Sequence, residues 1–410
     1  MAFANPSLPR DGGYRGARRR SLMARLTDRA FPALQSGGLQ LELPNGDIIE
    51  RNGGGEGPHA VLRVNRWRAL RRMLADGEYG FSEAYLDDDW ATPALHDLLE
   101  LFTRNDAMLR RHVQSSMTSV LWNQLLHLLR SNTRRGSRRN IAAHYDLGNE
   151  FFSCWLDAGM NYSSALYTGD STLQAAQDAK LARVAALLDL SGGESVLEIG
   201  CGWGALAERL VRCFNAAVCG ITLSAEQLQY ARTRLAGEID EGLADLRLLD
   251  YRDIVGKFDR IVSIEMIEAV GEHYWPAYFA KLRACLRKRG VAVLQAITIA
   301  EDRFAAYRRR PDFIQRHIFP GGMLPTCRII SSHAARAGLV LVHHESFGSS
   351  YARTLREWRI RFSKAWPTIE RLGFDERFRR MWEYYLAYCE IGFCTGRIDV
   401  GFFKLQDDSA

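Results

Sequence analysis

A chain of 410 residues with 47% hydrophobic content can bury a large core in two or three domains, which excludes intrinsic disorder. Its net charge of +6 is modest, no span approaches the ~18 consecutive apolar residues of a membrane-crossing helix, and no apolar signal core opens the chain, so a cytoplasmic protein is expected. The eight cysteines include no C-x-x-C pair and no two histidines have ligand spacing, which points away from a metal site and from a disulfide framework.

Residues 1–30 carry seven arginines against two aspartates and predict a flexible basic arm. The alternation from Leu39 to Ile49, with a turn at Asn45-Gly46, predicts a hairpin. A helix from Trp67 to Ala75 follows, so residues 31–105 predict a small α+β domain. Residues 106–139 predict a helical linker ending in Arg134-Arg135-Gly136-Ser137-Arg138-Arg139. On charge alone such a patch suits nucleic acid, anionic lipid or plain solvent. A large α/β domain is expected over 140–410, with helical insertions at about 300–335 and 354–390, the first irregular from Asp302 to Pro325 and the second one long helical stretch from Thr354 to Cys389.

Within it, Val196-Leu197-Glu198-Ile199-Gly200-Cys201-Gly202-Trp203-Gly204 describes a buried strand that stops at a glycine turn and opens a helix. Gly200, Gly202 and Gly204 let a ligand approach the backbone. The spacing is not the G-x-G-x-x-G of dinucleotide sites, and Glu198 would repel a pyrophosphate while accepting an ammonium group. S-adenosylmethionine fits that turn better than NAD. Further strands are expected at Ala217–Thr222, Leu243–Leu249, Phe258–Ser263, Gly290–Ile299, Leu339–His343 and Val400–Leu405, with Ser224 capping a helix after the second. Strands alternating with helices imply a parallel sheet with ligands at its carboxyl ends. Glu198, Thr222, Gln227, Asp250 to Arg252 and Glu265 to Glu268 all fall at such ends and are expected to line one crevice.

His144-Tyr145-Asp146, Tyr162-Ser163, the glycine turn, Thr222-x-Ser224, Asp250-Tyr251-Arg252-Asp253, Glu268-Ala269-Val270-Gly271, Ile318-Phe319-Pro320-Gly321-Gly322 and Phe347-Gly348-x-x-Tyr351 together resemble, in order and over nearly the whole chain, the cyclopropane-fatty-acyl-phospholipid synthases and their mycolic-acid relatives. The resemblance implies a class I methyltransferase fold: a Rossmann-like, seven-stranded, mostly parallel sheet beside the small N-terminal domain. It implies methyl transfer from S-adenosylmethionine to the cis double bond of a phospholipid acyl chain, after which a base removes a proton and a cyclopropane ring closes. In the family that base is a bound bicarbonate, and the matching residues here are Glu268, Tyr351, Ile297, Ser164 and Gln295. The last two depart from the commoner cysteine and histidine. Tyr162 and Ser163 match contacts to the methionine end of the cofactor, Gln227 is expected at the ribose, and Tyr251 and Arg252 at the adenine.

Glu265 could share the face of Glu268, support it from behind or be purely structural. Cys389 is expected to be a packing residue, and His144 and His317 structural or lipid-facing. The expected partners are acyl chains at the inner membrane surface, met peripherally with help from the arginines, and a second copy of the chain as a homodimer; no nucleic acid is expected. Three rivals stand beside ring formation. They are a methylene- or methyl-branched product, an amine N-methyltransferase on the same scaffold, and a non-catalytic lipid-binding module.

Overall fold

Two sheets organise the computed structural model, which describes residues 34–106 and 147–407. The basic arm, the arginine cluster and His144-Tyr145-Asp146 lie outside the described residues. The smaller unit contains β1 (Ser36–Glu42), β2 (Ile48–Asn52), β3 (Gly55–Val64), α1 (Arg68–Asp76), α2 (Glu78–Leu86), β4 (Trp90–Ala91) and α3 (Leu95–Arg104), with strand order β2-β1-β3-β4. The hairpin turns where Asn45-Gly46 predicts: Gly46 takes φ +82°, and its N–H donates to Leu43 O at 2.9 Å. Leu39, Leu41, Leu62 and Val64 face inward and Trp90 is fully buried, its indole N–H donating to Phe81 O at 2.8 Å.

The larger unit begins with α4 (Asn149–Ser153) and α5 (Leu173–Leu187) and continues β5 (Ser195–Ile199), α6 (Ala205–Phe214), β6 (Ala217–Thr222), α7 (Ala225–Arg234), α8 (Ala236–Asp240), β7 (Ala244–Leu248), β8 (Phe258–Ile264), α9 (Ile267–Val270), α10 (Trp275–Cys285) and β9 (Leu286–Ile299). It ends with α11 (Glu301–Tyr307), α12 (Cys327–Arg336), β10 (Leu339–Ser346), α13 (Gly348–Arg371), α14 (Glu376–Cys394) and β11 (Ile398–Asp407). The strand order is β10-β11-β9-β8-β5-β6-β7; β5 to β9 run parallel, and β10 and β11 pair antiparallel at one edge. This is the expected seven-stranded, mostly parallel sheet. The order reverses next to β5, so the crevice opens at the end of the strand that carries the glycine turn.

The expected single helical insertion from Thr354 is two helices, broken where Gly373 takes φ +99° and restarted where the Asp375 carboxylate accepts from Phe378 N–H at 2.8 Å. The stretch from Asp302 to Pro325, expected to be irregular, contains most of α11 and a π turn at Ile314–Ile318.

Helix α14 joins the two units. Arg377 reaches Glu83 and Asp87 at 3.3 Å each, and Arg380 pairs with Asp88. On the other side His96 lies 3.2 Å from the buried Glu390, which also holds Arg356 and Arg359 at 3.0 Å. Burial alone would raise the Glu390 carboxylate, but His96 and Arg359 outweigh it and hold it at about 2. His317, in the π turn, stands 2.7 Å from Glu83 and packs against Tyr79 and Phe313, so its surroundings are those of a structural residue. Among the described residues no helix is long and apolar enough to cross a membrane.

Candidate active site

The glycine turn closes back on the neighbouring strand. Gly200 and Cys201 both donate their N–H groups to Ile221 O at 2.9 Å, and Gly200 and Gly202 take φ +83° and +52°, conformations a side chain would strain. At the end of β6, Ser224 caps α7 by accepting from Gln227 N–H at 3.2 Å. Thr222 Oγ1 donates to Gln227 Oε1 at 2.9 Å, which fixes a glutamine that is buried, not solvated. One crevice is lined by Tyr162, Ser163, Glu198, Gly200, Gly202, Thr222, Gln227 and Tyr251, together with Lys180 and Glu265.

Three of the expected cofactor residues do not line it. A Cβ on Gly204 would stand 2.9 Å from Leu235 Cδ1 and 3.1 Å from Ala231 Cβ, so that glycine serves the packing of α6 on α7. Gly204→Ala is expected to lower stability by about 1–3 kcal/mol while the folded protein keeps its cofactor affinity within about threefold. Calorimetric titration alongside a thermal melt would show this, and an affinity loss matching that of Gly200→Ala would refute it. Asp250 and Arg252 are bound to each other, Asp250 Oδ2 accepting from the guanidinium at 2.6 Å. The Arg252 guanidinium lies over the Tyr251 ring at 5.5 Å, so the pair braces the tyrosine that does line the crevice.

Two buried charges dominate the crevice. Glu198 is 3% exposed and its Oε2 finds no partner among the described residues; burial pushes its carboxyl up to about 8 against the pull of Lys180. Lys180, on α5, is 2% exposed and its Nζ donates to Ser163 Oγ at 3.0 Å. Burial draws its ammonium down to about 8 against the carboxylates of Glu265, Asp157 and Glu198. An orphaned acidic oxygen beside a glycine turn fits the ammonium and hydroxyl groups of S-adenosylmethionine. Lys180 escapes the sequence reading, although Gln177 and Lys180 interrupt the buried stripe Leu173, Ala176, Leu181 and Val184 of α5, and that interruption is a visible signal.

Beyond the crevice floor, Ser164, Glu265, Glu268, Gln295, Ile297 and Tyr351 come together, and Glu265 is at their centre. Its Oε1 accepts from Ser164 N–H at 2.8 Å and from Gln295 Nε2 at 2.7 Å, and its Oε2 accepts from Tyr351 Oη at 2.8 Å. Glu268 Oε1 accepts from Ile297 N–H at 2.5 Å, while its Oε2 has no partner among the described residues. Two expectations change. The Ser164 hydroxyl donates to Ala165 O at 2.9 Å, so that residue offers the site its backbone N–H. Glu265 belongs to the site itself.

Burial raises Glu265, against the opposing effect of its three donors; burial and then Glu265 push Glu268 up to about 8. Burial also keeps Tyr351 protonated as a donor. Cys389 is half-buried against the core with its thiol pushed up by desolvation, the state of a packing residue. Among the described residues no cluster of metal ligands forms.

Residues 132–403 match the family of mycolic acid cyclopropane synthetases. The tuberculostearic acid methyltransferase of Mycobacterium tuberculosis is 40% identical over 363 residues, covering 83% of this chain and 81% of its own length. The cyclopropane-fatty-acyl-phospholipid synthase of Escherichia coli K12 is 35% identical over 342 residues, covering 80% and 83%. A crystal structure of a mycolic acid cyclopropane synthase complexed with S-adenosylhomocysteine superposes with a TM-score of 0.62 at 31% identity, covering 66% of this chain and 98% of that one.

Proposed function

As this chain belongs to the mycolic acid cyclopropane synthetase family and is a methyltransferase dependent on S-adenosylmethionine, we propose that it methylates the cis double bond of an unsaturated phospholipid acyl chain and closes a cyclopropane ring. The cofactor, when bound, supplies an electrophilic methyl group on sulfur. Tyr162, Gln227 and Tyr251 all line the crevice, and we assign them to the sulfonium, the ribose and the adenine of the cofactor in that order. Glu198 and Lys180, both lining the crevice, are assigned to the ammonium and the carboxylate of its amino-acid end.

The observation that carries the reading is Glu265, which lines the crevice and is held there by Ser164, Gln295 and Tyr351. Methylating an alkene leaves a cation that must lose a proton to a base, whereas an amine N-methyltransferase has no need of the Glu265 and Glu268 carboxyls beside the crevice. Tyr351 and Gln295 hold the Glu265 carboxylate in one orientation. A second reading, a methylene-branched product, is favoured by the likeness to the tuberculostearic acid methyltransferase. It differs only in a hydride shift before the proton leaves.

Incubating the purified protein with labelled S-adenosylmethionine and vesicles of a monounsaturated phospholipid tests both readings. The expected product is an acyl chain one CH2 unit heavier that resists hydrogenation. A product that hydrogenation reduces would establish the methylene reading, and absence of label in lipid would end both. Vesicle binding that rises with anionic headgroups and falls with salt is expected of a peripheral enzyme.

A further inference from the structure

The donors that the family resemblance assigns to a bound bicarbonate are already engaged in this chain. Ser164 N–H, the Gln295 amide and the Tyr351 hydroxyl converge on the two oxygens of one carboxylate, that of Glu265, at 2.8, 2.7 and 2.8 Å. The remaining donor, Ile297 N–H, is taken by Glu268 at 2.5 Å. A bicarbonate ion would have to displace Glu265 from all three partners, so the residues present do not fit that ion. They already hold its chemical equivalent, a planar anion with two acceptor oxygens.

Glu265 is also held at φ +50°, a left-handed conformation unfavourable for a glutamate. Its own N–H is tied to Gln295 O at 2.7 Å. That strained residue directly follows β8 and turns its side chain toward Ser164, Gln295 and Tyr351, ahead of the helix that starts at Ile267. Backbone strain that the surroundings over-determine is characteristic of functional positions.

We propose that Glu265 is a built-in replacement for bicarbonate: its carboxylate takes the proton released after methyl transfer, and turnover needs no dissolved carbonate. The proposal rests on the alkene-methylation reading. As the methyl carbon bonds to one alkene carbon, the carbon–sulfur electron pair stays on sulfur and the neighbouring alkene carbon becomes a cation. An oxygen of Glu265 then bonds to one hydrogen of the transferred methyl. The electron pair of that C–H bond closes the third side of the ring onto the cationic carbon, or forms a methylene double bond if a hydride has first moved. Positive charge passes from sulfonium to carbocation to a proton on Glu265, which leaves a neutral acid to return its proton to solvent.

The experiment measures methyl transfer to vesicle lipid by the full chain in buffer stripped of carbon dioxide, with and without added bicarbonate. Wild-type turnover is expected to be indifferent to bicarbonate. Glu265→Gln, which keeps the shape and loses the basicity, is expected to fall about a hundredfold or more while calorimetry shows S-adenosylmethionine binding retained. Glu265→Ala exposes the same three donors, and recovery of its activity by bicarbonate or formate, with no effect of either on wild type, would support the proposal further. Wild-type turnover that collapses without bicarbonate and returns with it overturns the proposal, as does a Gln variant that turns over normally. A wild type that methylates no unsaturated lipid in either buffer defeats the underlying reading instead, and this one with it.

Discussion

Lys180→Met is expected to compare less favourably with the native protein near pH 8 than near pH 5, by roughly 1 kcal/mol. The ammonium is the buried cation that opposes Glu198, Glu265 and Asp157, and its hydrogen bond to Ser163 fixes a wall of the crevice. Glu198 has a folded pKa of about 8, above its ordinary 4.5, so the native state holds extra protons between those values and loses stability as pH rises through them. Without Lys180 the carboxyls of Glu198 and Glu265 move further up, and the loss deepens and extends to higher pH. Near the acid end Glu198 is protonated in both proteins.

The lysine itself works in the opposite direction. Its folded pKa is drawn from 10.5 down to about 8, so its own burial cost is fully felt below about 8 and fades only as pH climbs toward 10.5, and methionine removes nearly the same cost at both pH values. Denaturant unfolding at the two pH values measures the difference, and an equal loss at both would refute the electrostatic account. Binding of S-adenosylmethionine to the variant is expected to weaken at least tenfold at pH 8, because the amino-acid end loses its cationic partner.

How much of this was readable in advance depends on how local each cause is. The run Ala217–Thr222 becomes β6 residue for residue, since an apolar stretch between turns needs no distant information. β9 begins at Leu286, four residues before Gly290, because the parallel pairing with β8 reaches Phe258 across a register shift. The exposed Arg287-Lys288-Arg289 conceals that start.

Glu265 was ambiguous for a geometric reason. Three residues before Glu268, it would share a helical face with it, but α9 begins only at Ile267 and Glu265 turns away at φ +50°. Its partners at 164, 295 and 351 are separated by long stretches of chain, so only the folded sheet assembles them. The same holds for Lys180, whose acidic neighbours come from three other segments. Motif order identified the cofactor and the fold, while the identity of the base depended on contacts that spacing does not encode.

Glutamine in place of Glu268 is expected to make the protein more stable and far less active. The glutamine oxygen can still accept from Ile297 N–H, and the side chain carries no charge at any pH. In the native protein the Glu268 carboxyl is raised from 4.5 to about 8, by burial first and by Glu265 second, so stability falls as pH climbs from the lower value to the upper. A residue that does not titrate escapes that loss. Its advantage should therefore be small near pH 5, grow with pH and level off above about 8 at roughly 2–4 kcal/mol.

Chemical denaturation across that range checks the stability, and methyl transfer to vesicle lipid checks the activity, which should drop about a hundredfold. An advantage independent of pH would refute the burial argument, and full activity would remove Glu268 from the chemistry. A position that only had to fill space would be served better by an uncharged side chain. A carboxyl with one buried, unpartnered oxygen, beside a second carboxylate, stands against its own stability cost, as expected of a group that holds or passes the proton taken up by Glu265.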